Sequence, residues 1–232
     1  MRLTPILVLV VVIVLLAPIG FWALRQIPPQ HAPWAPLSLE DPIGLATAAK
    51  IRGLGDHAAR CNAVLASARQ LQVRAGAPDA GTDACPLPGS FVIEKTSVTY
   101  GQEMASSCAL AAAIYLWERE IVQPAAQKHL GALVVQIDTY GTFACRNVYN
   151  QQSGRRSEHA SANALDVSGF RLADGRRITL VKDWESNGPS ADFLRAVRDN
   201  SCELFNGVLS PEYNAAHADH FHLDMGPYRI CQ

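Results

Sequence analysis

The chain has no run of lysine or arginine and no excess of either sign of charge; its formal net charge is -1 over 232 residues. A protein that grips nucleic acid draws most of its affinity from a basic face, so that class is excluded. Among its six cysteines there is no close CxxC pair, and the ribbon-type structural zinc site that such pairs build is therefore absent. No internal repeat is visible, nor is the regular strand-helix-strand spacing of a doubly wound α/β sheet. Between Leu3 and Leu24 there is no charged residue at all.

That last absence predicts a membrane segment, because the apolar run is long enough to cross a hydrocarbon layer of about 30 Å at about 1.5 Å per residue. It exceeds the ~7–15 apolar residues of a signal peptide and lacks a small-x-small cleavage site, so residues 1–25 are expected to remain as an anchor, in the membrane through residues 3–24. Arg2 and Arg25 flank it one on each side and give no orientation. All six cysteines lie beyond it, an even set that predicts up to three disulfides in an oxidising compartment. Of the fifteen connectivities that six cysteines allow, Cys202–Cys231 and Cys108–Cys145 are the pairs expected here.

Residues 26–42 hold five of the fourteen prolines and predict a stiff spacer. The remainder, 43–232, is long enough for one globular domain. Residues 45–70 are Ala-rich at helical spacing and predict two helices, split at Gly53 and Gly55 with Asp56 as cap of the second. The stretch 73–97 reads as loop with a short strand at FVIE. Between Met104 and Val122, apolar residues at 110, 114, 117 and 121 predict one helix whose stripe, Trp117 included, is core. Strands are expected at 133–140, at 176–184 and at the terminal HFHLDM, with a helix from about 190 to 200. The fold class is α+β, a small central antiparallel sheet flanked by helices.

Four of the seven histidines fall in two clusters, SEHASANALDVSGF at 157–170 and HADHFHLD at 217–224. If 220–224 is a strand, His220, His222 and Asp224 share one face. Asp166 would sit on a strand of its own, with His159 on the loop before it. Two histidines and a carboxylate with one position left open make a catalytic zinc (Zn2+) arrangement, since a closed structural site uses four protein ligands. His31, His57 and His129 read as ordinary surface or core histidines, and Arg155 and Arg156 as solvated. Asp224 reads equally as a group orienting a ligand or as a strand-end cap, and Asp183, Trp184 and Glu185 as a cleft lining or an anchored turn.

From about Cys108 to Asp224 the chain resembles the extensin-like C-terminal domain family of bacterial envelope proteins. Its two motifs are similar to those of zinc D-Ala-D-Ala carboxypeptidases and the penicillin-insensitive murein endopeptidase. Their signature S-x-H-x-x-G-x-A-x-D is met by Ser157, His159, Ala164 and Asp166, with Ala162 at the glycine position. The resemblance implies His159, Asp166 and His222 as metal ligands and an upstream arginine near the reacting carbonyl, for which Arg146 is the candidate. The glutamate base of the carboxypeptidases corresponds to Asp219, one methylene shorter, whereas His217, His220 and His222 reproduce the H-x-x-H-x-H spacing of the endopeptidase. His220 is therefore the expected base, supported by His217 or Asp219. The resemblance implies a zinc peptidase acting on stem peptides or cross-links of peptidoglycan, held by its anchor in the inner membrane with the domain in the periplasm. The alternative from another class is a catalytically silent wall-binding or scaffolding protein of the same fold.

Overall fold

A computed structural model of the protein describes residues 3–55, 58–76 and 81–232. Asp56, expected to cap a helix, and His57 lie outside the described residues. The first element, α1 (Leu3–Arg25), is an apolar helix whose residues 7–25 carry a mean hydropathy of 2.9, with none of them buried. By length and composition it fits a membrane anchor or a signal sequence.

The proline-rich stretch that follows makes one tight turn at Pro29–His31 and then lies against the domain. Leu39 is wholly buried, the Arg119 guanidinium donates to the carbonyls of Leu39 and Asp41, and Tyr115 Oη donates to Glu40 at 2.9 Å. Two short helices follow, α2 (Thr47–Arg52) and α3 (Ala58–Ala66).

Strands β1 (Gln72–Ala75), β2 (Phe91–Lys95) and β3 (Met104–Ser106) form a small antiparallel sheet. Two expectations are corrected here. Residues 73–75 are strand rather than loop, and Met104–Ser106 are strand rather than the start of a helix; both pair with β2, a long-range partner that local periodicity does not register. The helix starts instead at Cys108, where Ser107 Oγ accepts from the Leu110 amide at 3.1 Å as N-cap. Helix α4 (Cys108–Trp117) runs through a widened π turn, Glu118–Val122, into α5 (Gln123–Leu130). The widened turn falls where Pro124 lacks an N–H and would crowd the carbonyl four residues back.

The main sheet is built from β4 (Val134–Gly141), β5 (Ala164–Leu172), β6 (Arg177–Thr179), β7 (Gly207–Leu209), β8 (Phe221–Asp224) and β9 (Ile230–Cys231), with α6 (Leu180–Asp183) and α7 (Pro189–Ser201) after β6. Its order is β4-β5-β8-β7-β9, antiparallel except for β7 with β9, and β6 pairs with the second half of β5. The strand expected over 176–184 stops at Thr179, because Asp183 turns back to accept from the Thr179 amide at 2.8 Å. Trp184 is buried edge-on against Phe221, so this segment is an anchored turn and not a cleft lining.

The molecule is thus α+β, with the long helix α4–α5 buried against one face of the main sheet. Trp117, fully buried, donates from its indole to Ser201 Oγ at 2.8 Å. Alternation along β8 sends Phe221 and Leu223 into this core and leaves His222 and Asp224 on the other face.

Three disulfides are formed, Cys61–Cys108, Cys85–Cys145 and Cys202–Cys231, with Cα separations of 6.0, 5.7 and 5.9 Å. Cys202–Cys231 was expected. The expected Cys108–Cys145 is corrected: α3 packs on the start of α4 and brings Cys61 to Cys108, while Cys145 meets the loop of Cys85.

Candidate metal centre

Asp166 on β5 and His222 on β8 are directly opposite one another in the ladder, so their side chains emerge together on the face away from the core. His159 reaches them from a single 3-10 turn, Glu158–Ser161, in front of β5. Ser157 caps that turn, its Oγ accepting from the His159 amide at 3.4 Å. Ala162 closes it in a left-handed conformation, φ 51° and ψ 38°. Glycine adopts such a φ without cost, and alanine at a cost of about 1–2 kcal/mol. The alanine is kept by packing, fully buried beside Leu87, Val92 and Ala105.

The result is a tight convergence. His159 Nε2 lies 3.1 Å from Asp166 Oδ2, His222 Nδ1 2.9 Å from Asp166 Oδ1, and the two ring nitrogens 3.2 Å apart. Donor atoms on a tetrahedral ion with bonds of ~2.1 Å stand about 3.4 Å apart, so the set fits a small divalent cation. The outer nitrogens are committed elsewhere. His159 Nδ1 faces the Thr142 carbonyl at 3.2 Å, and His222 Nε2 faces Asp224 Oδ2 at 3.1 Å. Such partners hold the proton on the outer nitrogen and turn the inner lone pair to a cation. Asp224 does both things read for it, since its Oδ1 also accepts from the Gly226 amide at 2.7 Å. Its carboxylate fits only because Gly207 lies opposite; a Cβ there would come within 2.0 Å of Oδ2.

The electrostatics agree with this density of partners. Burial pushes His222 down, but the Asp166 and Asp224 carboxylates outweigh it and bring the ring up to about 9. Burial likewise raises Asp166, yet the bonds to His159 and His222 hold its carboxyl well below the usual carboxylate range.

Beside the triad stand the other two histidines of the second cluster. His220 precedes β8 rather than opening it, but its Nε2 still comes to 3.6 Å from Asp166 Oδ1. Its Nδ1 donates to Asp219 Oδ1 at 2.7 Å, and Asp219 Oδ2 accepts from Tyr140 Oη at 3.1 Å. Asp219 therefore stands behind His220 and does not line the cavity in front of it. His217 Nδ1 donates to Asn214 Oδ1 at 2.8 Å, and burial, then His222, His220 and Arg146, bring its ring down to about 4 against an opposing pull from Asp166. Arg146 and Arg155 share the wall of one cavity of about 610 Å³ with these histidines. Arg155 is exposed, as expected, and its guanidinium lies 5.0 Å from the centroid of Tyr228.

Thr142, Tyr140, Asn214, Tyr149 and Tyr228 were not singled out in the sequence. Asn214 alone left a local signal: it caps the turn Ala215–His217, its Oδ1 accepting from the Ala216 amide at 3.0 Å. The others act across long separations.

A family model described as extensin-like protein C-terminus matches residues 59–232. No curated protein and no solved structure matches the chain.

Proposed function

The chain belongs to the extensin-like C-terminal family, and from that premise we propose that it is a zinc-dependent peptidase of peptidoglycan stem peptides or cross-links, tethered by α1 to the inner membrane with its domain in the periplasm. The observation that carries this is the convergence of His159 Nε2, the Asp166 carboxylate and His222 Nδ1, the last two on the wall of a cavity, beside a histidine backed by a carboxylate. Three disulfides support an oxidising compartment for the domain.

His159, Asp166 and His222 would hold the ion. Zinc in such a setting supplies a Lewis acid for a carbonyl and makes water a stronger acid. His220 is the general base: with Nδ1 committed to Asp219, its Nε2 takes the proton of the attacking water and returns it to the leaving amine. Asp219 fixes that tautomer and steadies the imidazolium that forms. Arg146 offers a planar fork to the developing oxyanion or to a substrate carboxylate. His217, low in basicity and fixed by Asn214, stays neutral and presents Nε2 as a hydrogen-bonding group on the cavity wall.

The test is digestion of purified peptidoglycan by the full chain, with the fragments read by mass spectrometry and a chelator-treated control. New peptide fragments that vanish on chelation support the proposal. Intact peptidoglycan from zinc-loaded protein would favour a wall-binding role instead.

A further inference from the structure

Residues 146–157 form a hairpin over the cavity. The Ser157 amide donates to the Arg146 carbonyl at 3.1 Å and the Val148 amide to the Arg155 carbonyl at 3.0 Å, with Asn147 opposite Arg156. Alternation across this pairing puts Arg146, Val148, Arg155 and Ser157 on one face, and these four line the cavity while Asn147 and Arg156 do not. The tip is tied down: Tyr149 Oη accepts from Asn214 Nδ2 at 3.1 Å, the same amide that holds His217.

The two cavity-facing arginines are distinguished by where they point, into a cavity whose own acids are taken. Several guanidinium groups elsewhere meet carboxylates: Arg74 meets Glu94, Arg171 and Arg177 meet Asp138, Arg176 meets Asp174, and Arg198 meets Glu212. Among the described residues, neither Arg146 nor Arg155 has such a partner. The acids that do line the cavity are already engaged, Asp166 by two histidines, Asp224 by His222 and the Gly226 amide, and Glu158 by Asn163 Nδ2 at 2.9 Å. Arg155 is nonetheless held in place by stacking on Tyr228. The tail carrying Tyr228 is itself fixed, by β9 pairing with β7 and by Cys202–Cys231. An exposed guanidinium with free donors, steadied by a ring on a tethered backbone, is suited to a carboxylate.

We propose that Arg155, braced on Tyr228, selects substrates that carry a second carboxylate remote from the bond cut, Arg146 taking the group nearer the histidines. This rests on the peptidase reading above and names its substrate class, a peptide with at least two free carboxylates.

The probe is a synthetic stem-type pentapeptide, together with forms in which each carboxylate in turn is converted to an amide. Binding is measured by calorimetry on the full chain in detergent, in a His220→Ala background so that no peptide is consumed. One amidation is expected to weaken binding roughly tenfold, the size of a single well-placed fork pair. Arg155→Gln should weaken the free peptide by the same factor and become indifferent to that amidation, Arg155→Lys should recover part of the loss, and Tyr228→Leu should give an intermediate loss. Equal binding of all the peptides, no binding of any, or an Arg155→Gln variant that still discriminates would overturn the assignment. The two readings fail separately. If the peptides discriminate as stated but protein with His220 intact cuts none of them, the peptidase reading falls and the Arg155 site stands. If they are cut and Arg155→Gln leaves KM unchanged, the Arg155 site falls and the peptidase reading stands.

Discussion

Asp219 accepts from His220 Nδ1 at 2.7 Å from a position outside the cavity that His220 faces. On the proposed function, Asp219 is then an orienting group and His220 the base. His220→Ala should lower hydrolysis by about 10²–10⁴-fold, the usual worth of a positioned base, while elemental analysis still finds the metal. Asp219→Asn should give a smaller loss with metal content unchanged. An Asp219→Ala variant without activity beside a fully active His220→Ala would reverse the assignment.

Removing a ligand should act differently. His159→Ala and His222→Ala should lose both metal and activity. Asp224→Asn, which leaves the ligands but unseats His222 Nε2, should weaken metal affinity by roughly 10–100-fold. Titration with a competing chelator reads the difference, and an unchanged affinity in Asp224→Asn would remove Asp224 from the centre.

Ala162 tests whether the departure from the glycine signature matters. Replacing it with glycine relieves a left-handed alanine, by about 1–2 kcal/mol, but removes a buried methyl worth about 0.8 kcal/mol and frees the unfolded chain by about 0.4–1 kcal/mol. The terms nearly cancel, so Ala162→Gly should leave the melting temperature and activity close to those of the parent. Ala162→Val should be destabilised well beyond that, because a β-branched side chain tolerates positive φ poorly. A large gain in activity on Ala162→Gly would mean the alanine had distorted the His159 turn.

Outside the centre, burial pushes the carboxyl of Glu118 up to about 7 from an ordinary 4.5, against hydrogen bonds from Tyr100 and Ser97 that pull it down. The folded chain then holds this proton more tightly than the unfolded chain. Its contribution is complete below the ordinary value and is lost as pH rises through the folded one, by roughly 3 kcal/mol at most. Denaturant melts across that window should show wild-type stability falling relative to Glu118→Gln as pH climbs. A constant difference between the two would show that Glu118 ionises normally.

What could be seen in the sequence was what short spacing controls. The strand alternation of His222 and Asp224, the buried stripe of Trp117 and the loop position of His159 are local, and the α+β class followed from strands and helices that interleave without regular spacing. What the sequence did not disclose depends on long-range pairing. Met104–Ser106 is strand because β2 lies beside it. Cys108 bonds Cys61 because two helices pack. Arg155 is solvated as expected, but its contact with Tyr228 arises only where the hairpin and the C-terminal tail meet, which local spacing does not register. Likewise Tyr140, 79 residues from Asp219, carried no mark of the hydrogen bond between them.

The most direct measurement is hydrolysis of peptidoglycan in heavy-oxygen water by the zinc-loaded full chain, followed by mass spectrometry of the peptides released. The expected result is one heavy oxygen in each newly formed carboxylate, with release from His220→Ala lower by about 10²–10⁴-fold at equal zinc content. Intact peptidoglycan from wild-type protein shown to hold one zinc per chain would contradict the account.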